Sequence, residues 1–184
     1  MKLEEITKTP SDQPVIEAER FVLRPIQASD AGLITLYAGD ERVARMTTSI
    51  PHPLPPGAAE SFIARAHATD RSEDVWVIDC SRSGGAELVG LIGMERIEGD
   101  RSEVGYWIAP AFWNTGIASE AVTAMIAANP QDVSVIFASV FQDNPASARV
   151  LTNCGLTYLG DAESFSVARD ANVRTWTYSL RLKE

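Results

Sequence analysis

The chain has 184 residues, 45% of them hydrophobic and 22% charged, with 10 Pro and 12 Gly; that composition excludes a collagen, a coiled coil and a disordered tail and predicts one globular domain. A chain of this length buries about 70% of the surface it exposes when unfolded, so it needs neither disulfides nor a structural metal to fold. Sixteen basic against 25 acidic residues give a net charge of −9, which argues against a nucleic-acid partner, because such proteins neutralise phosphates with clustered Lys and Arg, and is compatible with a cationic substrate such as an amine.

Residues 1–15 are polar and carry Pro10 and Pro14; they read as a flexible lead-in to a domain over 16–184. The opening carries charges where a secretory leader needs an apolar run, and no stretch approaches the roughly 18 apolar residues of a membrane helix. A cytoplasmic protein without a membrane partner is therefore expected, as a monomer or a homodimer. Glu19 to Pro25 alternates like a strand stopped by Pro, and Ser29 offers an N-cap to a helix through Leu33, Leu36 and Tyr37 that ends at Gly39. The four prolines between Pro51 and Pro56 remove donors and fix φ, so that segment is a loop. Glu60 to Ala68 follows as a short amphipathic helix.

Three strand-like runs, Asp74–Cys80, Glu87–Ile97 and Ser102–Ala109, then succeed one another with turn signals and no helix between them, which predicts an antiparallel meander. A helix over 116–128, a buried strand Val133–Phe141 and a helix Pro145–Cys154 come next, and strands near Leu156–Gly160 and Thr175–Leu182 close the chain. Cys80 and Cys154 have neither a CxxC spacing nor a neighbouring His, so they read as buried free thiols, and no metal site is expected.

Two windows carry chemistry. In the first, a strand runs through Gly105-Tyr106-Trp107 and Ile108 into a turn of small residues, Asn114-Thr115-Gly116-Ile117-Ala118-Ser119, and on into a helix. Unpaired N–H groups at the positive end of a helix suit a phosphate or diphosphate. Hydrogen bonds to a charged acceptor contribute about 1.5–3 kcal/mol each, while remote repulsion fades beyond about 8 Å at physiological salt. The same residues equally serve a tight strand-to-helix turn with no ligand. In the second window Asn144 at the N-cap, Pro145 at N1 and Gly155 at C′ bracket a helix, and capping alone accounts for all three.

Together the windows resemble the GNAT superfamily of acetyl-CoA-dependent N-acyltransferases, in particular its RimJ/RimL-like ribosomal-protein-alanine acetyltransferase branch. The residues that carry the likeness are Gly105-Tyr106-Trp107, Trp113 to Ala121 and Asn144 to Leu156, with the first strand Glu19 to Pro25 and Asp30 after it. The resemblance implies an α/β domain with a central mixed, mostly antiparallel, splayed sheet flanked by about four helices. It places the backbone of Ile108 against the pantetheine of acetyl-CoA, the turn Asn114–Ser119 around the diphosphate, and Asn144 and Ser147 beside the cofactor. Asn114 and Thr115 stand where the branch usually has Gly and a cationic or amide side chain, which predicts weaker cofactor binding. Leu151 stands where many GNAT enzymes carry the Tyr that protonates the departing thiolate; in the branch Ser147 has that role.

The implied reaction is direct attack of a neutral primary amine, a protein N-terminus or a small molecule, on the thioester. Deprotonating a lysine at pH 7.4 costs about 4 kcal/mol against about 0.5 for an α-amine, which favours the latter. Glu103, at the start of the strand that leads into the turn, is the first candidate base and Glu95 the second, provided burial raises the carboxylate pKa; each also reads as a solvated residue near a strand end. His52 and His67 are weaker candidates, and Asp40, Glu41 and Glu60 are available to a cationic acceptor. Two competitors remain: a non-catalytic acyl-CoA sensor or assembly module on the same fold, and a doubly wound nucleotide-binding domain, which the consecutive strands disfavour because parallel sheets need crossover helices.

Overall fold

The structure, a computed structural model, describes residues 13–184. Its elements are β1 (Ile16–Glu17), β2 (Val22–Pro25), α1 (Ala31–Ala38), α2 (Glu41–Ala44), α3 (Ala58–Ala66), β3 (Glu73–Asp79), β4 (Gly90–Ile97), β5 (Arg101–Ile108), α4 (Ile117–Ala128), β6 (Val135–Phe141), α5 (Pro145–Asn153), β7 (Thr157–Ser166) and β8 (Ala171–Arg181). The strands form one sheet in the order β1-β2-β3-β4-β5-β6-β8-β7. Every neighbouring pair is antiparallel except β5–β6. The expected mixed, mostly antiparallel sheet is therefore present, and its meander is β3-β4-β5.

Alternation along the strands supplies two apolar faces. On one face Trp76, Ile92, Met94, Val104, Ile108 and Ile136 pack under α4 and α5 with Ala121, Met125 and Leu151. On the other, Val75, Val77 and Leu91 pack under α1 and α3 with Ile34 and Ile63. Burying a Leu or Ile of this kind contributes about 1.5–3 kcal/mol, so the sheet is clamped from both sides.

The feature that positions the site is a change of pairing around β5. Its full length, from Arg101 to Ile108, is in register with β4. With β6 it is in register only from Arg101↔Val135 to Glu103↔Phe137, while β6 stays paired with β8 along its whole length. Beyond Glu103 the two parallel strands part. A buried polar network fastens the closed end. Asp74, 5% exposed, accepts from Arg71 Nε and Arg96 Nη2, both at 2.8 Å, and from Gln131 Nε2 at 2.9 Å. Gln131 also donates to the Met94 carbonyl and accepts from Ser102 Oγ. Four segments that converge there are thus tied to one carboxylate and one amide, with the buried charge compensated.

Several elements depart from the sequence expectation. Ser29 is not the N-cap: it lies in a 3₁₀ turn, Ala28–Asp30, and α1 begins at Ala31. Asp30 organises that corner, accepting from the Gln27 N–H at 2.8 Å and from both terminal nitrogens of Arg24 at 2.8–2.9 Å. The single-turn helix α2 and the two-residue strand β1 are too short to leave a periodic pattern. The last two strands are longer than expected, because β7 is an edge strand whose side chains are mostly exposed, so Asp161 to Ser166 has no apolar face to alternate. Cys80 and Cys154 are half-buried rather than buried. The expected lead-in lies outside the described residues up to residue 12; Gln13 and Pro14 are bonded to β3, through the Val75 carbonyl and the Trp76 indole.

Candidate active site

The parting of β5 from β6 opens a cleft of about 1220 Å³ that is lined from both faces of the sheet. Its phosphate-sized end is the turn into α4. Asn114 takes φ +60 and Gly116 φ +80, left-handed backbone that Gly adopts freely and Asn tolerates. The first intrahelical bond runs from Glu120 N to Gly116 O, and Gly116 supplies no side-chain cap. The N–H groups of Ile117, Ala118 and Ser119 therefore have no partner inside the helix. Arg20, brought from the start of β2, donates to the Thr115 carbonyl at 2.8 Å and is ion-paired with Glu120 at 2.6 Å. A Cβ on Gly116 would come within 3.3 Å of Arg20 Nη2. The turn is thus held from behind by a cation that the sequence reading did not connect with it.

Along the free edge of β5, Ala109 N donates to Val89 O at 2.8 Å. Peptide groups alternate in direction along a strand, so the N–H of Ile108 points the opposite way, into the cleft. The Ile108 carbonyl accepts from the Trp113 indole at 2.7 Å. Gly105 has open space where a side chain would stand.

Facing this edge, Asn144 caps α5, its Oδ1 accepting from Ser147 N at 3.3 Å. Both residues line the cleft. Ser147 Oγ lies 2.6 Å from the Tyr106 hydroxyl, a contact that spacing in sequence does not reveal. Burial pushes the Tyr106 phenol up to about 12, against the opposing pull of the Ser147 hydrogen bond. Leu151 is wholly buried.

On the α1/α3 face the register sets Glu73 opposite Glu95, and Glu95 opposite Glu103. All three line the cleft. Opposed Cβ atoms on neighbouring strands are about 4.5–5.5 Å apart, so the three carboxylates form one strip in which Glu73 and Glu103 are partly buried. Burial first, then the charges of Glu95, Asp74 and Glu103, raise Glu73 to about 7. Glu103 is also raised, by burial and then by Glu95, with a hydrogen bond from Ser139 working the other way. Glu95 is exposed and lies 3.5 Å from Ser72 Oγ. Gly93 makes room for this arrangement: a Cβ there would lie 2.3 Å from Glu73 Oε1.

Glu73 is thus a site residue that sequence reading missed, while Glu95 and Glu103 are brought together beside it. Other candidates are placed elsewhere. His67 Nε2 contacts the Ile26 carbonyl at 2.8 Å and His52 is exposed in the Pro-rich loop. Asp40 caps α2 and pairs with Arg42; neither it nor Glu41 or Glu60 lines the cleft. Among the described residues no His, Cys, Asp and Glu group suits a metal ion, and no helix is long and apolar enough to cross a membrane.

Comparison with known proteins gives the class to which this strand order, splayed pair and helix-capping turn belong. The model of the acetyltransferase (GNAT) domain matches residues 20–157, so the chain belongs to the GNAT acetyltransferase family. It is similar to the uncharacterized N-acetyltransferase YoaA of Bacillus subtilis, with 28% identity over 91% of this chain and 96% of that one. Among solved structures, ribosomal-protein-S5-alanine acetyltransferase from Vibrio fischeri shares the fold with a TM-score of 0.75 at 21% identity, over 94% of this chain and 98% of that one. Spermidine N-acetyltransferase from Vibrio cholerae, solved with CoA and spermine, gives 0.70 at 18% identity, over 86% and 94%.

Proposed function

We propose that the chain is an acetyl-CoA-dependent N-acetyltransferase acting on a primary amine, either a protein N-terminal α-amine or a small molecule, by direct attack in a ternary complex. One observation carries this reading: a single cleft joins a main-chain cradle at Asn114–Ser119 to a strip of carboxylates in which burial raises Glu73 and Glu103. When bound, acetyl-CoA supplies an acyl group already activated as a thioester. The cradle fits its diphosphate, because the first N–H groups of α4 have no partner inside the helix and no side-chain cap, and the Ile108 N–H fits a pantetheine carbonyl.

The residues of the chain do the rest. Glu103, from β5, takes a proton from the attacking amine, directly or through water; its raised pKa makes it a better base than a solvated carboxylate. The carboxylates of the strip draw in an ammonium group, which loses one proton to water; the neutral amine then attacks and gives its second proton to Glu103. Ser147, across the cleft, faces the departing sulfur. Acceptors as different as a protein alanine and spermidine are named for proteins with this fold, and the strip of carboxylates suits any of the cationic kind.

The alternative is a module that only binds acyl-CoA. Calorimetry with acetyl-CoA, followed by free-thiol release with a broad panel of amines that includes an alanine-initiated peptide and spermidine, tests both halves. Heat of binding together with amine-dependent CoA release is expected. Binding without release across the panel would establish the sensor instead, and no binding to well-folded protein would remove the acyl-CoA reading altogether.

A further inference from the structure

The chain carries leucine where many related enzymes place a thiolate-protonating tyrosine on the helix after β6, yet a phenol stands at the cleft all the same. It comes from β5. Tyr106 reaches from the edge that β6 has abandoned to Ser147 on α5, with 2.6 Å between the two hydroxyl oxygens and 3.4 Å from the phenol oxygen to the Ser147 carbonyl. These residues are 41 apart in sequence, and both line the cleft.

We infer that Tyr106 is a positioning residue for the leaving-group step: its O–H donates to Ser147 Oγ and so directs the Ser147 proton toward the departing sulfur. The inference rests on the acetyltransferase reading. Of two hydroxyls in contact, the phenol is the stronger acid and hence the donor. Its other contact, the Ser147 carbonyl, lies at 3.4 Å, too long to compete with the 2.6 Å contact for the single phenol proton. Because burial keeps Tyr106 protonated through the neutral range, this polarity does not change with working pH. Ser147 has then accepted one hydrogen bond and has its own proton left for the cleft, and accepting that bond makes it a stronger donor.

The balance of the step is simple. As the C–N bond forms and the C–S bond breaks, the C–S electron pair stays on sulfur. The Ser147 hydrogen bond stabilises that charge without Ser147 losing its proton. The proton that the amine gives up to Glu103 equals the one that sulfur finally gains, by way of water. Tyr106 exchanges nothing; it fixes a direction.

A double-mutant cycle of Tyr106→Phe and Ser147→Ala tests this, with initial rates of CoA release from acetyl-CoA and an amine accepted by the wild type. Tyr106→Phe keeps the ring that packs beside α4 and α5, and a melting curve within a few degrees of wild type verifies the fold. The expected result is a kcat lowered about five- to tenfold with the KM for acetyl-CoA within twofold, and a change of less than twofold when the same substitution is made in Ser147→Ala. Equal losses in both backgrounds would overturn the coupling, as would a loss confined to KM. A wild type that binds acetyl-CoA and releases no CoA overturns the activity beneath it, and the positioning role with it.

Discussion

At the end of the cleft proposed for the diphosphate the available groups are main-chain N–H groups, held by left-handed backbone at Asn114 and Gly116, whereas at the end proposed for the acceptor they are the side chains of Glu73, Glu95 and Glu103. The first kind of site depends on conformation and survives changes of side chain that preserve it. The second depends on a particular functional group at each position. That contrast explains how the turn can carry Asn114 and Thr115 in place of the family's usual residues and keep its shape: Asn tolerates φ +60, and Thr115 ties its hydroxyl to the Phe112 carbonyl at 2.5 Å.

The sharpest way to break the contrast is to remove charge at the acceptor end. Glu103→Gln is expected to lower kcat about 10²-fold, the scale of a lost general base, and to leave the dissociation constant for acetyl-CoA within twofold; a comparable loss in that constant would show that the two ends are not separate. Glu73→Gln acts on stability. Because the folded protein holds Glu73 near 7, above the ordinary carboxylate range, it binds more protons than the unfolded chain between about pH 4.5 and 7. The wild type therefore loses stability as pH rises through that window. The Gln variant lacks the slope, so urea unfolding at pH 8 should favour it over wild type by roughly 3 kcal/mol more than at pH 4. An equal difference at both pH values would count against a buried, shared charge. The smallest effect is expected at the main-chain end: Thr115→Lys adds an exposed cation beside the cradle and should tighten acetyl-CoA binding only about two- to fivefold, less so at high salt. No change on this substitution would tell against the expectation that Thr115 weakens the turn.

Much of the frame was legible because local signals mark it. Gly39, Gly116, Asn144, Pro145 and Gly155 all lie at helix boundaries, and a capping residue needs no knowledge of distant neighbours to be read. The Glu95–Glu103 pairing was within reach as well, since Gly99 lies midway between them in a tight turn of positive φ. Glu73 was not. Its register with Glu95 depends on the irregular connection between β3 and β4, which includes a 3₁₀ turn at Ser81–Ser83, and no alternation in the sequence sets that offset. Arg20 behind the turn and Tyr106 on Ser147 were hidden for the same reason. Each joins segments 41 to 100 residues apart, and a single sequence records which groups exist without saying which of them meet.

The Asp74 network has a consequence for affinity. Joining β3, β4 and β5 to the loop that leads into β6, with Arg71, Arg96, Gln131 and Ser102 bound into it, it works as the rivet of an open pair of scissors. The blades are set apart before anything enters, so an incoming acyl carrier does not have to prise a finished sheet open, and the ordering cost that would otherwise weaken its binding has already been met during folding.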